Sequence, residues 1–392
     1  MREALLYDRL DGQGVRCKLC AHRCVIAPGR KGLCLVRENQ DGTLYTLVYG
    51  VPLSQAVDPI EKKPLFHFYP GTMAYSIATA GCNFRCSFCQ NSDISQMPRE
   101  RGQILGRQAS PESVVRSAQR HGCQSIAYTY TEPTIFFEYS YDIARLAHQE
   151  GIASVYVTNG YMTRGMLDLF QGVTHGHEPW LDAANVDLKA FRDETYRNVC
   201  GARLQPVLDS LKNMKELGIW VEVTTLEVPG MNDSDAELGE IAHFIANDLG
   251  VETPWHVSRF HPDYKMYDRG STSPATLRRA YELGREAGLH YIYVGNMPGA
   301  RLEDTYCPNC SRAVIERWGF QVTKRHTQGG KCRHCGAGIP LRYLVLELLL
   351  PALLLLAAWR DGPTLLMVRD TLFIVLLVVL SYIDLDTMEL PH

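Results

Sequence analysis

Six short apolar segments, each followed by turn residues and then by a helix-patterned stretch, constrain this chain more than any other feature. The strand candidates are Ala74–Thr79, Ser125–Tyr130, Ala153–Thr158, Ala184–Leu188, Ile219–Thr225 and Trp255–Phe260. Apolar, β-branched and aromatic residues fill them, and they are too short for helices. Helical patterns follow at Pro111–His121, Ile135–Gln149, Pro206–Leu217, Asp235–Asp248 and Pro274–Ala287. Pro111, Pro206 and Pro274 suit first-turn positions, and Ser110 and Ser273 are placed to cap two of these helices. Six βα units in series imply an α/β fold: a parallel sheet with right-handed crossovers, curled into a partial (βα)6 barrel. Tyr291–Val294 is a seventh strand candidate for its edge.

The cysteines say what such a sheet carries. There are thirteen, and eleven fall into three groups: Cys17, Cys20, Cys24 and Cys34; Cys82, Cys86 and Cys89; Cys307, Cys310, Cys332 and Cys335. The amino terminus, MREALLYDRLDG, has neither a basic n-region nor an apolar h-region, so a cytoplasmic location is expected. In a reducing compartment, clustered cysteines read as metal ligands rather than disulfides. Cys123 and Cys200 stand alone and read as buried, inert thiols. A formal net charge of −3 gives no reason to expect a nucleic-acid partner.

The middle group lies in ATAGCNFRCSFCQNSDIS, just after the first strand candidate. Its Cys-x3-Cys-x2-Cys spacing supplies three thiolates from one loop. On a 4Fe–4S cluster three ligands leave one iron open, as chemistry on a bound small molecule requires, whereas electron-transfer clusters are usually closed by four. Structural zinc prefers four ligands in paired CxxC turns, and no fourth Cys or His lies nearby in sequence. The last group, CPNC and CRHC with twenty-one residues between them, has the paired pattern of a zinc ribbon. The first group, CxxCx3Cx9C, has the ligand count for zinc or for another cluster, with a structural metal site favoured.

The Cys82–Cys89 pattern, with aromatic Phe88 in the penultimate position, resembles the radical S-adenosylmethionine superfamily. The resemblance implies that the amino and carboxylate groups of S-adenosylmethionine chelate the open iron, and that one electron breaks a C–S bond to give a 5′-deoxyadenosyl radical. YTYTEPT resembles the superfamily's glycine–glycine–glutamate motif, with Glu132 as the carboxylate that holds the methionine amino group and non-glycine residues in place of the glycines. Asn159, in TNG, ends the third strand candidate and is a further cofactor-binding candidate. Asp187 and Lys189, in DLK, resemble a polar pair of the glycyl-radical activating enzymes. His261 and Lys265, in SRFHPDYKM, are expected to point at the same face.

More narrowly, residues from about 10 to 340 resemble the radical enzyme of the AmmeMemoRadiSam system, a relative of pyruvate formate-lyase activating enzymes. CKLCAHRCVIAPGRKGLC, DPIEKKPLFHFYPG, NVDLKAF and YVGNMPG carry that resemblance. It implies hydrogen-atom abstraction from an unknown substrate, small molecule or partner protein, with an external one-electron donor; installing a glycyl radical on a protein is the narrower alternative. A zinc-rich, non-catalytic adaptor is the alternative from another class.

The expected division is an N-terminal Cys-rich segment over 1–70, the barrel over 71–300, a zinc-ribbon-like element over 301–340 and an apolar tail over 341–392. The tail, LVLELLLPALLLLAAW and TLFIVLLVVLSYI, reads as a helical hairpin able to touch a membrane through residues 344–383. It resembles type IV prepilin peptidases, with Asp384 at the first catalytic aspartate. The second aspartate has no counterpart and aspartic proteolysis needs two carboxylates, so no peptidase activity is expected. The tail is then a membrane anchor or a fusion artefact, the latter favoured because half an active site has no evident use.

Overall fold

The computed structural model describes residues 1–297 and 301–340. Its centre is an eight-stranded sheet: β1 Ser54–Pro59, β2 Met73–Ala78, β3 Ser125–Tyr128, β4 Ala153–Thr158, β5 Ala183–Asp187, β6 Trp220–Glu227, β7 Trp255–Arg259 and β8 Ile292–Gly295. Neighbours in space are neighbours in sequence. β1 runs antiparallel to β2, and every later pair is parallel. The carboxyl ends of seven strands therefore share one rim. β3 and most of β2, β4 and β5 are buried on both faces, which is why they read as largely apolar runs without polar alternation.

The connecting helices are α1 Pro111–Arg120, α2 Phe137–Gln149, α3 Arg164–Phe170, α4 Gln205–Glu216, α5 Asp235–Phe244 and α6 Pro274–Glu286. The Ser110 and Ser273 hydroxyls accept from the amides of Ser113 and Thr276, so both expected caps form. On α6, Leu277, Ala280 and Gly284 face the sheet. A Cβ on Gly284 would lie 2.9 Å from Ile292 Cδ1, so only glycine lets this helix approach β8 so closely. α3 was not expected; its seven residues are too few for a periodic signal, and the Thr163 hydroxyl caps it by accepting from the Met166 amide.

β1 was not expected either. SQAVDP carries Asp58 and Pro59 and gains its strand form from pairing along β2. The DPIEKKPLFHF segment then crosses beneath the strands. Glu222 accepts from the amides of Phe66 and His67 at 2.9 and 2.8 Å, and Asn185 donates to the Pro64 carbonyl at 2.8 Å. Residues 1–46 form two small three-stranded sheets, and residues 305–325 form another beside the last cysteine group. No described helix is long and apolar enough to cross a membrane. The hairpin and membrane expectations for the tail, and Asp384, lie outside the described residues.

Candidate active site

Cys82, Cys86 and Cys89 lie on the loop that leaves β2. The loop is held from outside its own sequence: the amides of Arg85 and Ser87 donate to the carbonyls of Cys200 and Val199 at 2.9 and 3.1 Å. Gly81 has φ +104°, and a Cβ there would sit 2.9 Å from Val36 Cγ1. All three thiols line one cavity of about 310 Å³ at the carboxyl rim of the sheet. Burial raises the Cys82 and Cys89 thiols; a hydrogen bond with the Cys200 thiol, then burial, raises Cys86. Thiolates in such a place need a compensating cation.

Glu132 follows β3 and is 2 % exposed. Its Oε1 accepts from the Thr134 amide and hydroxyl and from the Thr158 hydroxyl, at 3.0, 2.5 and 2.7 Å, and Oε2 accepts from the Asn159 amide at 2.8 Å. Burial raises its pKa while these donors pull it down. Among these bonds Oε2 carries only one, so it keeps room for a cationic donor in the cavity. Tyr130, where the resemblance expects glycine, adopts φ +63°, a conformation that glycine takes freely and tyrosine rarely. Tyr130 therefore holds a backbone conformation that suits glycine, at the expense of local strain.

Asn159 bridges the two loops: Nδ2 donates to Asn83 Oδ1 at 2.8 Å and lies 3.9 Å from Cys82 Sγ. Asp187 and Lys189 pair at 2.7 Å on the cavity wall, and the Lys189 ammonium stands 5.8 Å from the centre of the Phe88 ring. His261 and Lys265 do not join them. Both side chains are exposed and outside the cavity lining: His261 lies 3.2 Å from the Ser271 hydroxyl, and Lys265 meets the cysteine loop only through its backbone, its amide donating to the Ser87 carbonyl at 3.0 Å.

Residues 76–245 match the Radical SAM superfamily. An uncharacterized protein of Methanocaldococcus jannaschii is 46 % identical over 343 residues, covering 87 % of this chain and 99 % of its own. The chain belongs to the radical SAM superfamily. Its relatives include the pyruvate formate-lyase-activating enzyme of Clostridium pasteurianum, 24 % identical over 48 % of this chain and 80 % of that one. A solved radical SAM methyltransferase from Sphaerobacter thermophilus aligns at 20 % identity and TM-score 0.45, covering 58 % of this chain and 67 % of that one. Residues 296–360 match a different description, the bacterial peptidase A24 N-terminal domain.

Membership of the radical SAM superfamily implies a 4Fe–4S cluster and S-adenosylmethionine, and the residues fit both. No three of the Cys82, Cys86, Cys89 and neighbouring carboxylate ligand atoms gather within the 4.8 Å span of a single-ion site among the described residues. A multi-iron cluster needs such wider spacing. Lys62, Tyr130, Ser258 and Asn296 also line the cavity and were missed from sequence. Tyr130 and Lys63 share Asp58 across β1, a contact that only the unforeseen strand creates. Cys200, expected to be inert, stands against Cys86.

The last cysteine group looks different. Its four sulfurs lie within 4.8 Å of one another, with Cys307–Cys335 at 3.6 Å and Cys310–Cys332 at 3.8 Å. A tetrahedron of ~2.3 Å zinc–sulfur bonds has edges of ~3.8 Å. Amide donors, from Ala337 and then Asn309, lower the Cys335 thiol to about 6.

Proposed function

We propose that Cys82, Cys86 and Cys89 hold the cluster of this radical SAM enzyme, and that Glu132 and Asn159 position S-adenosylmethionine beside it. The observation that carries this reading is Oε2 of Glu132: a buried carboxylate oxygen with spare acceptor capacity, in the same cavity as three thiols. An ammonium–carboxylate bond there would offset the burial of both charges. When bound, cluster and S-adenosylmethionine together supply a 5′-deoxyadenosyl radical that removes a hydrogen atom from substrate.

The protein's part is placement. Glu132, fixed by four donors, sets the methionine end; Phe88 covers the cysteine loop; Asp187 and Lys189 face the space left for substrate. The sheet is read as a partial barrel because one cavity is lined from β3, β4, β5, β6 and β7 or the loops just after them. The division into 1–70, 71–300, 301–340 and 341–392 is part of this proposal, as is a single zinc ion at Cys307, Cys310, Cys332 and Cys335. Similarity to activating enzymes favours a partner protein as substrate over a small molecule. The roles drawn from sequence for His261 and Lys265 have no support in the cavity.

The test is anaerobic loading of the full chain with iron and sulfide, reduction, and assay of 5′-deoxyadenosine. Wild type should form it and Cys86→Ala should not. Glu132→Gln should keep the cluster spectrum and bind S-adenosylmethionine roughly tenfold to hundredfold more weakly. Equal affinity in Glu132→Gln would remove the assignment of that residue. A wild type that takes up no cluster would remove the assignment of the cysteines.

A further inference from the structure

Cys17, Cys20, Cys24 and Cys34 line a small pocket directly behind the Cys82–Cys89 loop. Nothing in the cavity chemistry uses them. All four are free thiols. Unlike the last group, no three of these sulfurs come within a 4.8 Å span among the described residues. A single zinc ion, which needs edges of ~3.8 Å, is therefore a poor fit.

Two buried donors point to what does fit. Arg37 and Asn83, 2 % and 3 % exposed, both line this pocket. The terminal nitrogens of Arg37 are taken by Glu138 at 2.9 and 2.6 Å, but its Nε has no hydrogen-bond partner among the described residues. Asn83 Nδ2 has none either. A buried N–H left without an acceptor is costly, and both would be satisfied by sulfur. N–H groups directed at thiolate and bridging sulfide are among the features that set an iron–sulfur cluster's potential.

The pocket is also joined to the central loop. His22 Nε2 lies 2.9 Å from the Asn83 carbonyl, Asn83 adjoins Cys82, and the Cys34 carbonyl lies 3.4 Å from where a Gly81 Cβ would be. Val25 and Leu33, each next to a cysteine, are exposed. The stretch from Cys17 to Cys34 contains Lys18, Arg23, Arg30 and Lys31 and no carboxylate.

We propose that Cys17, Cys20, Cys24 and Cys34 ligate a second iron–sulfur cluster, closed by four cysteines, that passes electrons to the cluster at Cys82, Cys86 and Cys89. The step is a one-electron transfer: a low-potential protein donor is oxidised by one electron, the second cluster takes it and hands it to the first, and no bond or proton moves. Four cysteine ligands suit electron transfer, as three suit substrate chemistry. The relay rests on the reading of the central loop as the first cluster site; the second cluster itself does not.

The test loads the full chain anaerobically with iron and sulfide and counts iron, labile sulfide and zinc per chain. The C82A/C86A/C89A variant should keep about half the wild-type iron and give an EPR signal on reduction. C17S/C34S should lose the other half, with Mössbauer counting on wild type as the check that does not depend on a variant folding. Zinc without iron in C82A/C86A/C89A would overturn the proposal. A C17S/C34S protein without any cluster, beside a C82A/C86A/C89A protein that has one, would sink the central reading and the relay with it, and leave only the second cluster standing. For the relay, a reduced 2Fe–2S ferredoxin should reduce the first cluster at least tenfold more slowly in C17S/C34S, with dithionite unchanged within twofold. Equal ferredoxin rates would overturn the relay.

Discussion

The chain has two four-cysteine groups, and the same ligand count leads to two different environments. Cys307, Cys310, Cys332 and Cys335 converge on a point, one of them exposed, around a small core of their own with Val314 and Ile339. Cys17, Cys20, Cys24 and Cys34 spread around a pocket packed into the main core, with the buried Arg37–Glu138 pair anchoring it to α2. The first arrangement is a knuckle that one ion can close. The second shares Asn83 with the Cys82–Cys89 loop. Number and spacing of cysteines decide whether a metal can bind; what surrounds them decides what the metal can do.

The largest expected effect tests the knuckle. Structural zinc sites contribute ~10–16 kcal/mol of apparent binding free energy at pH 7. Cys332→Ser should therefore abolish zinc uptake and open residues 301–340 to limited proteolysis, with iron content unchanged. Loss of iron together with zinc would mean that the two groups are not separate units.

Next comes the anchor. Glu138→Gln leaves the Arg37 charge buried beside Cys17 and Cys34 without its carboxylate, and should cost roughly 3–5 kcal/mol in urea unfolding. Glu316, which pairs with Lys324 next to the other group, is a surface partner. Glu316→Gln should leave the unfolding midpoint unchanged, and equal losses would erase the contrast between an embedded group and an appended one.

A smaller effect comes from neither group. Glu227 is fully buried, neither carboxylate oxygen has a partner among the described residues, and burial raises its pKa from 4.5 to about 8. The folded state then holds a proton that the unfolded state releases between those values. Stability should fall as pH rises through that window, by up to about 1.4 kcal/mol per pH unit, and level off above it. Glu227→Gln should flatten the decline. If it does not, the pH dependence of unfolding belongs to other buried groups, such as Glu61, Lys63 or the cysteines, and the comparison must be repeated at several pH values.

The smallest is at the rim of the knuckle. Asn309 Nδ2 lies 3.6 Å from Cys335 Sγ, and Asn309→Ala should weaken zinc about tenfold in a competition titration while sparing iron.

Much of the sheet was legible because its strands are buried on both sides. Ala153–Thr158 was readable to the residue, and the other parallel strands to within two at either end, since apolar runs between turn residues have few other uses. β1 was not legible, since Asp58 and Pro59 argue against a strand until β2 supplies the partner. In the candidate site, the cysteine loop and Glu132 could be found because their spacing and motif are local. Cys200 could not, because it meets Cys86 only through a helical turn more than a hundred residues away in sequence. His261 and Lys265 stood at a strand end like Asp187 and Lys189, but direction after the last strand residue is set by the loop's packing, and here the loop touches the cysteine loop through its backbone while both side chains face solvent.

By itself, then, the sequence determined the order of βα units and the three cysteine groups, because periodicity and ligand spacing are properties of a chain segment alone, and the radical SAM chemistry came from the family resemblance that the middle group carries. Only the tertiary structure decided which thiols converge and which spread, that Oε2 of Glu132 carries a single hydrogen bond among the described residues, and that Arg37 and Asn83, each with an N–H unpaired among the described residues, line the pocket behind the Cys82–Cys89 loop. Those depend on distances between segments far apart in the chain, and burial makes each unmet hydrogen bond count.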